Sequence, residues 1–141
     1  MKPIFLTDDN LIQAYWPDVD RLILPVVEHA ARGEFNMADI KQMCEEKRAV
    51  AVVVVNESEA VLAMVFEFVY YPRITACNII ALGGKDLSAV ANEFFITFKQ
   101  FCYGMGVTVI EASCSSVISR LLKPLGFEKT YEVVRHEIRL L

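Results

Sequence analysis

The sequence predicts an α/β domain built on a mixed, mostly antiparallel sheet with helices on both faces. Three features predict it. Apolar residues recur at helical spacing from Leu11 to Ala30. A β-branched run at Ala49–Val55 is followed by two more strand-like runs at hairpin-length separation. From Asp86 onward, helical and strand-like periods alternate. With 141 residues and no internal repeat, flexible linker or low-complexity tract, residues 1–141 are expected to form one domain with a sizeable core.

The first helical stripe comprises Leu11, Tyr15, Val19, Leu22, Ile23, Val26, Val27 and Ala30. Pro17 and Pro25 interrupt it, each removing a backbone donor, so a broken or kinked helical region is predicted, ended by Gly33. Asn36 then has the chemistry of an N-cap, and Ile40, Met43 and Cys44 form the buried stripe of a short second helix. The period next changes. Ala49–Val55 suits a strand buried on both faces. Asn56 to Glu59 is a polar turn, Ala60 to Tyr71 a longer strand closed by Pro72, and Arg73 to Leu82 a third. Two short polar connections between three strands imply an antiparallel meander.

From Asp86, the positions Leu87, Val90, Ala91, Phe94, Phe98, Phe101 and Cys102 mark a long amphipathic helix stopped by Gly104 and Gly106. Val107 to Ala112 is a short strand. A helix from Ser115 carries Ile118, Leu121, Leu122 and Leu125 before Gly126-Phe127 breaks it. The last segment, Lys129 to Leu140, sets Val134, His136, Ile138 and Leu140 on one face and Arg135, Glu137 and Arg139 on the other. That alternation predicts a half-exposed strand.

Composition narrows the function classes. The chain is 55% hydrophobic, yet no unbroken apolar run exceeds Ala49–Val55, which is too brief to span a bilayer. The opening residues turn acidic at Asp8-Asp9 after too short an apolar stretch for a signal peptide, so a cytosolic protein without membrane partners is expected. Net charge is −4, with basic residues scattered singly, which argues against a nucleic-acid partner. Cys44, Cys77, Cys102 and Cys114 lie far apart, without a Cys-x-x-Cys pair, and are read as core filler rather than metal ligands or disulfides. His29 and His136 show no metal spacing. His29 is expected on a helix surface and His136 on the apolar face of the last strand. Ser115-Ser116 read as helix caps, because no Gly-x-Ser-x-Gly elbow is present.

The order of elements, together with "GMGVTVIEA" at Gly104–Ala112 and "SSVISRLLKPLGF" at Ser115–Phe127, resembles the GNAT superfamily of N-acetyltransferases across nearly the whole chain. "LLKPLGF" is similar to the "LYEKLGF" segment that recurs there. More narrowly, "LPVVEHA", "MADI" and "YPRITACNIIALGGKD" resemble small GNAT-like proteins of tailed bacteriophages, some linked to the virion and its assembly. That resemblance implies a protein partner, either a phage structural protein or a second copy of the chain. It also implies a location in the host cytoplasm or on the virion.

The family resemblance also locates a cofactor loop. GNAT enzymes hold the acetyl-CoA pyrophosphate on backbone amides after the fourth strand, in a Gln/Arg-x-x-Gly-x-Gly/Ala pattern. The matching stretch is Leu82, Gly83, Gly84, Lys85 and Asp86. Setting Gly84 on the first glycine puts Ala81 on the Gln/Arg and Asp86 on the second glycine, so two of three features are lost. Asp86 is expected to cap the helix with its carboxylate and to set a negative charge where the pyrophosphate would lie. Like charges about 4 Å apart repel by roughly 4 kcal/mol at an effective dielectric of 20. Lys85 is expected to point outward. The loop is therefore read as vestigial, and no cofactor is expected unless the chain is an enzyme, in which case acetyl-CoA is implied.

Catalytic groups are similarly sparse. Leu122 stands where many family members carry a proton-donating Tyr. Glu67 and Glu111 remain as candidate general bases, each more readily explained as an edge or solvent-facing residue; a buried Glu67 with a raised pKa would reopen the question. Tyr70-Tyr71-Pro72 suits either an exposed aromatic anchor or an ordinary turn, and Trp16 a core position. Two functions stay open: a non-catalytic protein-binding component, and an acetyl-CoA-dependent N-acetyltransferase acting on an amine of a small molecule or protein.

Overall fold

The computed structural model describes residues 1–30 and 32–140, with the side chain of Ala30, and hence its predicted burial, outside that set. Its elements in chain order are β1 (Lys2–Phe5), α1 (Asp9–Ala30), α2 (Met37–Glu45), β2 (Val50–Asn56), β3 (Glu59–Tyr70), β4 (Thr75–Gly84), α3 (Leu87–Gly104), β5 (Val109–Ala112) and α4 (Ser116–Leu122), the last followed by a 3-10 turn at Lys123–Leu125. The strands form one sheet in the order β1-β2-β3-β4-β5. The first four are antiparallel neighbours, and β5 alone runs parallel to β4. This is the mixed, mostly antiparallel architecture that the periodicities predict.

The β2–β3 hairpin closes through Glu57 and Ser58, both left-handed at φ 54° and 87°. Two successive left-handed residues match the right-handed twist of the flanking strands, which is why so tight a turn joins them. The β-branched run of β2 then divides between two cores. Ala51 and Val53 join Ile12, Trp16, Val19, Ile23, Ile40 and Cys44 under α1 and α2. Val52 and Val54 join Leu62, Met64, Phe66, Phe94, Phe98 and Cys102 under α3. Phe66 centres the second core, with the rings of Phe5, Phe68, Phe98 and Phe101 within 5.1–6.4 Å of its own. Cys44, Cys77 and Cys102 are buried free thiols, as expected of core filler, whereas Cys114, in the loop before α4, is exposed and does not fill the core. Asn36 caps α2 by a capping box, its side chain accepting from the Asp39 amide at 2.9 Å while Asp39 accepts from the Asn36 amide at 3.0 Å.

Several expectations fail, and one strand has no counterpart in the periodicities. The proline-bearing region is one 22-residue helix with Pro17 and Pro25 inside it, not a broken one. Its apolar stripe is anchored along its length by Ile12, Val19, Ile23 and Val27, and that packing outweighs the two lost backbone bonds. Lys2–Phe5, too short and too near the terminus to show a period, pairs with β2 as an edge strand. The predicted strand at Lys129–Leu140 is absent: the segment forms no regular element, pairs with no strand among the described residues and is exposed throughout. His136 therefore lies on the surface rather than in a core.

Candidate functional site beside the fourth strand

β4 has two neighbours for only part of its length. It pairs with β3 from Thr75 to Gly84, but with β5 only from Ala76↔Val109 to Ile79↔Ala112. Beyond Ile79 its outer side opens into a gap, at the level where a register irregularity falls opposite Val65 and Phe66. Two groups of residues flank this gap, one at each end of β4.

At the lower end, the register places Glu67 opposite Asn78 and Asn78 opposite Glu111. Directly paired residues point to the same face of a sheet, so these three form one polar row across β3, β4 and β5. All three are half-buried. Burial raises the Glu67 carboxyl above its ordinary value. The Tyr71 hydroxyl donates to Glu111 Oε1 at 2.7 Å, and that bond raises its own pKa, keeping the phenol protonated. Glu67 and Glu111 were legible in the sequence as separate candidates. Asn78 and the role of Tyr71 were not, since both depend on a register that crosses a bulge. Tyr70 and Tyr71 are exposed, whereas Trp16 is buried on the core face of α1.

At the upper end, Leu82, Gly83, Gly84, Lys85 and Asp86 join β4 to α3. Neither Gly83 nor Gly84 has a positive φ. A Cβ on Gly83 would collide with the Leu22 carbonyl of α1, and one on Gly84 with the Val61 carbonyl of β3. Both glycines are thus required by close backbone packing within the fold. Lys85 donates its backbone N–H to the Val61 carbonyl at 3.0 Å and pairs through Nζ with Glu59 at 2.9 Å, a bond that holds the Glu59 carboxyl below its usual range. The loop's lysine is therefore turned toward the β2–β3 hairpin.

Asp86 departs from expectation. It precedes α3 in the left-handed region, at φ 49° and ψ 44°, and its side chain makes no capping hydrogen bond. A capping side chain needs an extended backbone at its own position, as Ser115 has at φ −71° and ψ 165° before α4. The left-handed turn denies Asp86 that geometry. Its charge nevertheless stands at the mouth of α3.

Between these ends, apolar side chains of the sheet, α3 and the end of α4 come together on the α3 face. Leu82, Phe94, Phe98, Leu122, Leu125 and Phe127 border a cavity of about 20 Å³. That is room for one water, against the roughly 300–1,000 Å³ of a typical small-molecule site. That cavity does not accommodate a coenzyme A arm. A larger surface hollow of about 610 Å³, at the junction of α1 and α2 beside His29 and Phe35, shares no lining residue with either end of β4. Among the described residues no cluster of three His, Cys, Asp or Glu side chains suits a metal ion. No helix among them is long and apolar enough to cross a membrane.

No family model matches the chain, and no curated protein matches it in sequence. Solved structures do match its fold. A crystal structure of a probable acetyltransferase superposes with a TM-score of 0.74 at 11% identity, covering 100% of this chain and 99% of the other. An aminoglycoside acetyltransferase from an uncultured soil metagenomic sample, in complex with sisomicin, gives 0.70 at 13% identity over 99% and 96% of the two chains. The apo aminoglycoside 6'-N-acetyltransferase of Acinetobacter haemolyticus gives 0.66 at 15% identity over 99% of each. The chain therefore has the fold of the GNAT acetyltransferases, end to end.

Proposed function

We propose that this chain is a GNAT-fold protein that does not transfer acetyl groups and acts by binding another protein. The small apolar cavity carries the proposal: where the sheet, α3 and the end of α4 meet, apolar side chains leave about 20 Å³. Asp86 adds an anion at the mouth of α3, and Gly83 and Gly84 are accounted for by packing alone. The resemblance to small phage GNAT-like proteins supports a role in virion assembly, in the host cytoplasm or on the particle, with a structural protein as partner. Calorimetric titration with acetyl-CoA tests the central point. The expected result is no heat of binding; association at micromolar concentration overturns it.

A second function, acetyl-CoA-dependent transfer to an amine, is favoured by one observation: the row of Glu67, Asn78 and Glu111 stands where β4 and β5 part. A half-buried carboxyl with a raised pKa is suited to accept a proton from an ammonium group. In this case Asp86→Gly, by removing the repelling charge, raises the rate of thiol release from acetyl-CoA with an amine mixture. An unchanged, null rate in both proteins rules the transfer out.

A further inference from the structure

Nothing in their spacing links Cys77 to Cys102, yet the fold brings the two together. Cys77 lies on β4, paired with Phe68 of β3 and Ile110 of β5, and joins the core that α3 covers. Cys102 belongs to the last turn of α3 and packs in that same core. Both are buried, and their thiols hydrogen-bond to each other, Cys77 Sγ–H donating to Cys102 Sγ. That bond holds the Cys102 thiol below its ordinary value, against the opposing effect of burial. The same bond, with burial, pushes the Cys77 thiol up. One sulfur is thus suited to attack and the other to resolve. Cys44 supplies a contrast: it sits in the other core, under α1 and α2, where burial raises its thiol to about 11. The pair can also be reached. α3 ends at Gly104, and the turn behind it, Met105-Gly106, is exposed. A Cβ on Gly104 or Gly106 would meet nothing within 4 Å, so no packing holds this end of the helix down. Local opening there costs little and admits a molecule as small as hydrogen peroxide.

We propose that Cys77 and Cys102 close to a disulfide when the protein meets a hydroperoxide, fastening α3 to β4 reversibly. The Cys102 thiolate attacks one peroxide oxygen, the O–O bond breaks, and the departing oxygen takes up a proton. Cys102 is then a sulfenic acid. The Cys77 sulfur gives up its proton, attacks the Cys102 sulfur and displaces hydroxide, which leaves with that proton as water. Both thiols are oxidised, by two electrons in all, and hydrogen peroxide is reduced to two waters. A reducing cytoplasm keeps the link open, an oxidising exterior or peroxide closes it, and a dithiol reopens it. Once closed, it constrains the unfolded chain and so stabilises the fold. The switch does not depend on whether the chain transfers acetyl groups or on what it binds.

The test uses the full chain carrying Cys114→Ser, which removes the exposed thiol and with it cross-links between copies. The protein is treated with hydrogen peroxide, denatured and alkylated with iodoacetamide. Of Cys44, Cys77 and Cys102, mass spectrometry is expected to find only Cys44 alkylated, and peptide mapping to find the other two joined. The melting temperature is expected to rise on oxidation and to return with dithiothreitol. Adding Cys77→Ala removes the resolving thiol, so dimedone should label Cys102 as its sulfenic acid. With Cys102→Ala instead, Cys77 should stay unlabelled. Three alkylated thiols after peroxide, a bond that includes Cys44, or an unchanged melting temperature each overturns the proposal. Dimedone on Cys77 in the Cys102→Ala protein overturns the assignment of Cys102 as the attacking thiol.

Discussion

The two ends of β4 contrast. At the lower end, polar side chains from three strands line up in one row and remain accessible: Glu67, Asn78 and Glu111, with Tyr71 bonded to the last at 2.7 Å. At the upper end, the positions beside the strand are given to packing. Gly83 and Gly84 let α1 and β3 approach, and Phe94, Phe98 and Leu122 close the gap. One strand therefore carries a polar row at one end and close apolar and backbone packing at the other. The two ends rest on different residues of the same strand.

That contrast can be broken or sharpened by substitution. The largest effect is expected of Phe98→Ala. Phe98 is 1% exposed and packs on Phe66 and Phe94, and its loss should lower the unfolding free energy by about 3–5 kcal/mol in urea denaturation. A much smaller loss would show that the upper gap is loosely packed and open to a ligand. Gly84→Ala comes next. Its new methyl meets the Val61 carbonyl, and a cost of about 1–3 kcal/mol is expected, whereas a neutral result would free the glycine for a role in binding.

Smaller effects separate the two helix mouths. Asn36→Ala removes a complete capping box and should cost about 1 kcal/mol. Asp86→Gly removes no capping bond and relieves a left-handed backbone, so stability should stay within about 0.5 kcal/mol of wild type or rise. A clear loss would show that Asp86 caps α3 in solution.

The smallest effect concerns the lower end. Burial raises Glu67, so the folded chain holds that proton more tightly than the unfolded chain does. Its contribution to stability is fully present below the ordinary glutamate value of 4.5 and is lost as pH climbs from there through the raised value. Glu67→Gln should flatten the fall in melting temperature across that window. Identical slopes in the two proteins would mean that the carboxyl is not desolvated in the row.

Much of the fold was legible residue by residue. The stripe of Val90, Ala91, Phe94, Phe98 and Cys102 is the buried face of α3, and the β-branched run at Val50–Val55 is a strand between two cores. The candidate site was less legible. Glu67 and Glu111 stood out as carboxylates in apolar strands, but their alignment through Asn78 requires the β3–β4 register and its irregularity at Val65/Phe66. Asp86 has cap chemistry, yet its backbone conformation, set by the chain leaving β4, withholds the cap.

By itself, the sequence determined the helices, the central meander and the charge at the mouth of α3, because period, capping chemistry and net charge depend on residues a few positions apart. Tertiary structure alone decided that α1 runs unbroken through two prolines and that Gly83 and Gly84 serve backbone packing. It also decided that only a small cavity remains between Leu82, α3 and the end of α4, and that Lys129–Leu140 pairs with no strand among the described residues. Each of these depends on what a segment meets across the fold, and that partner is distant in sequence.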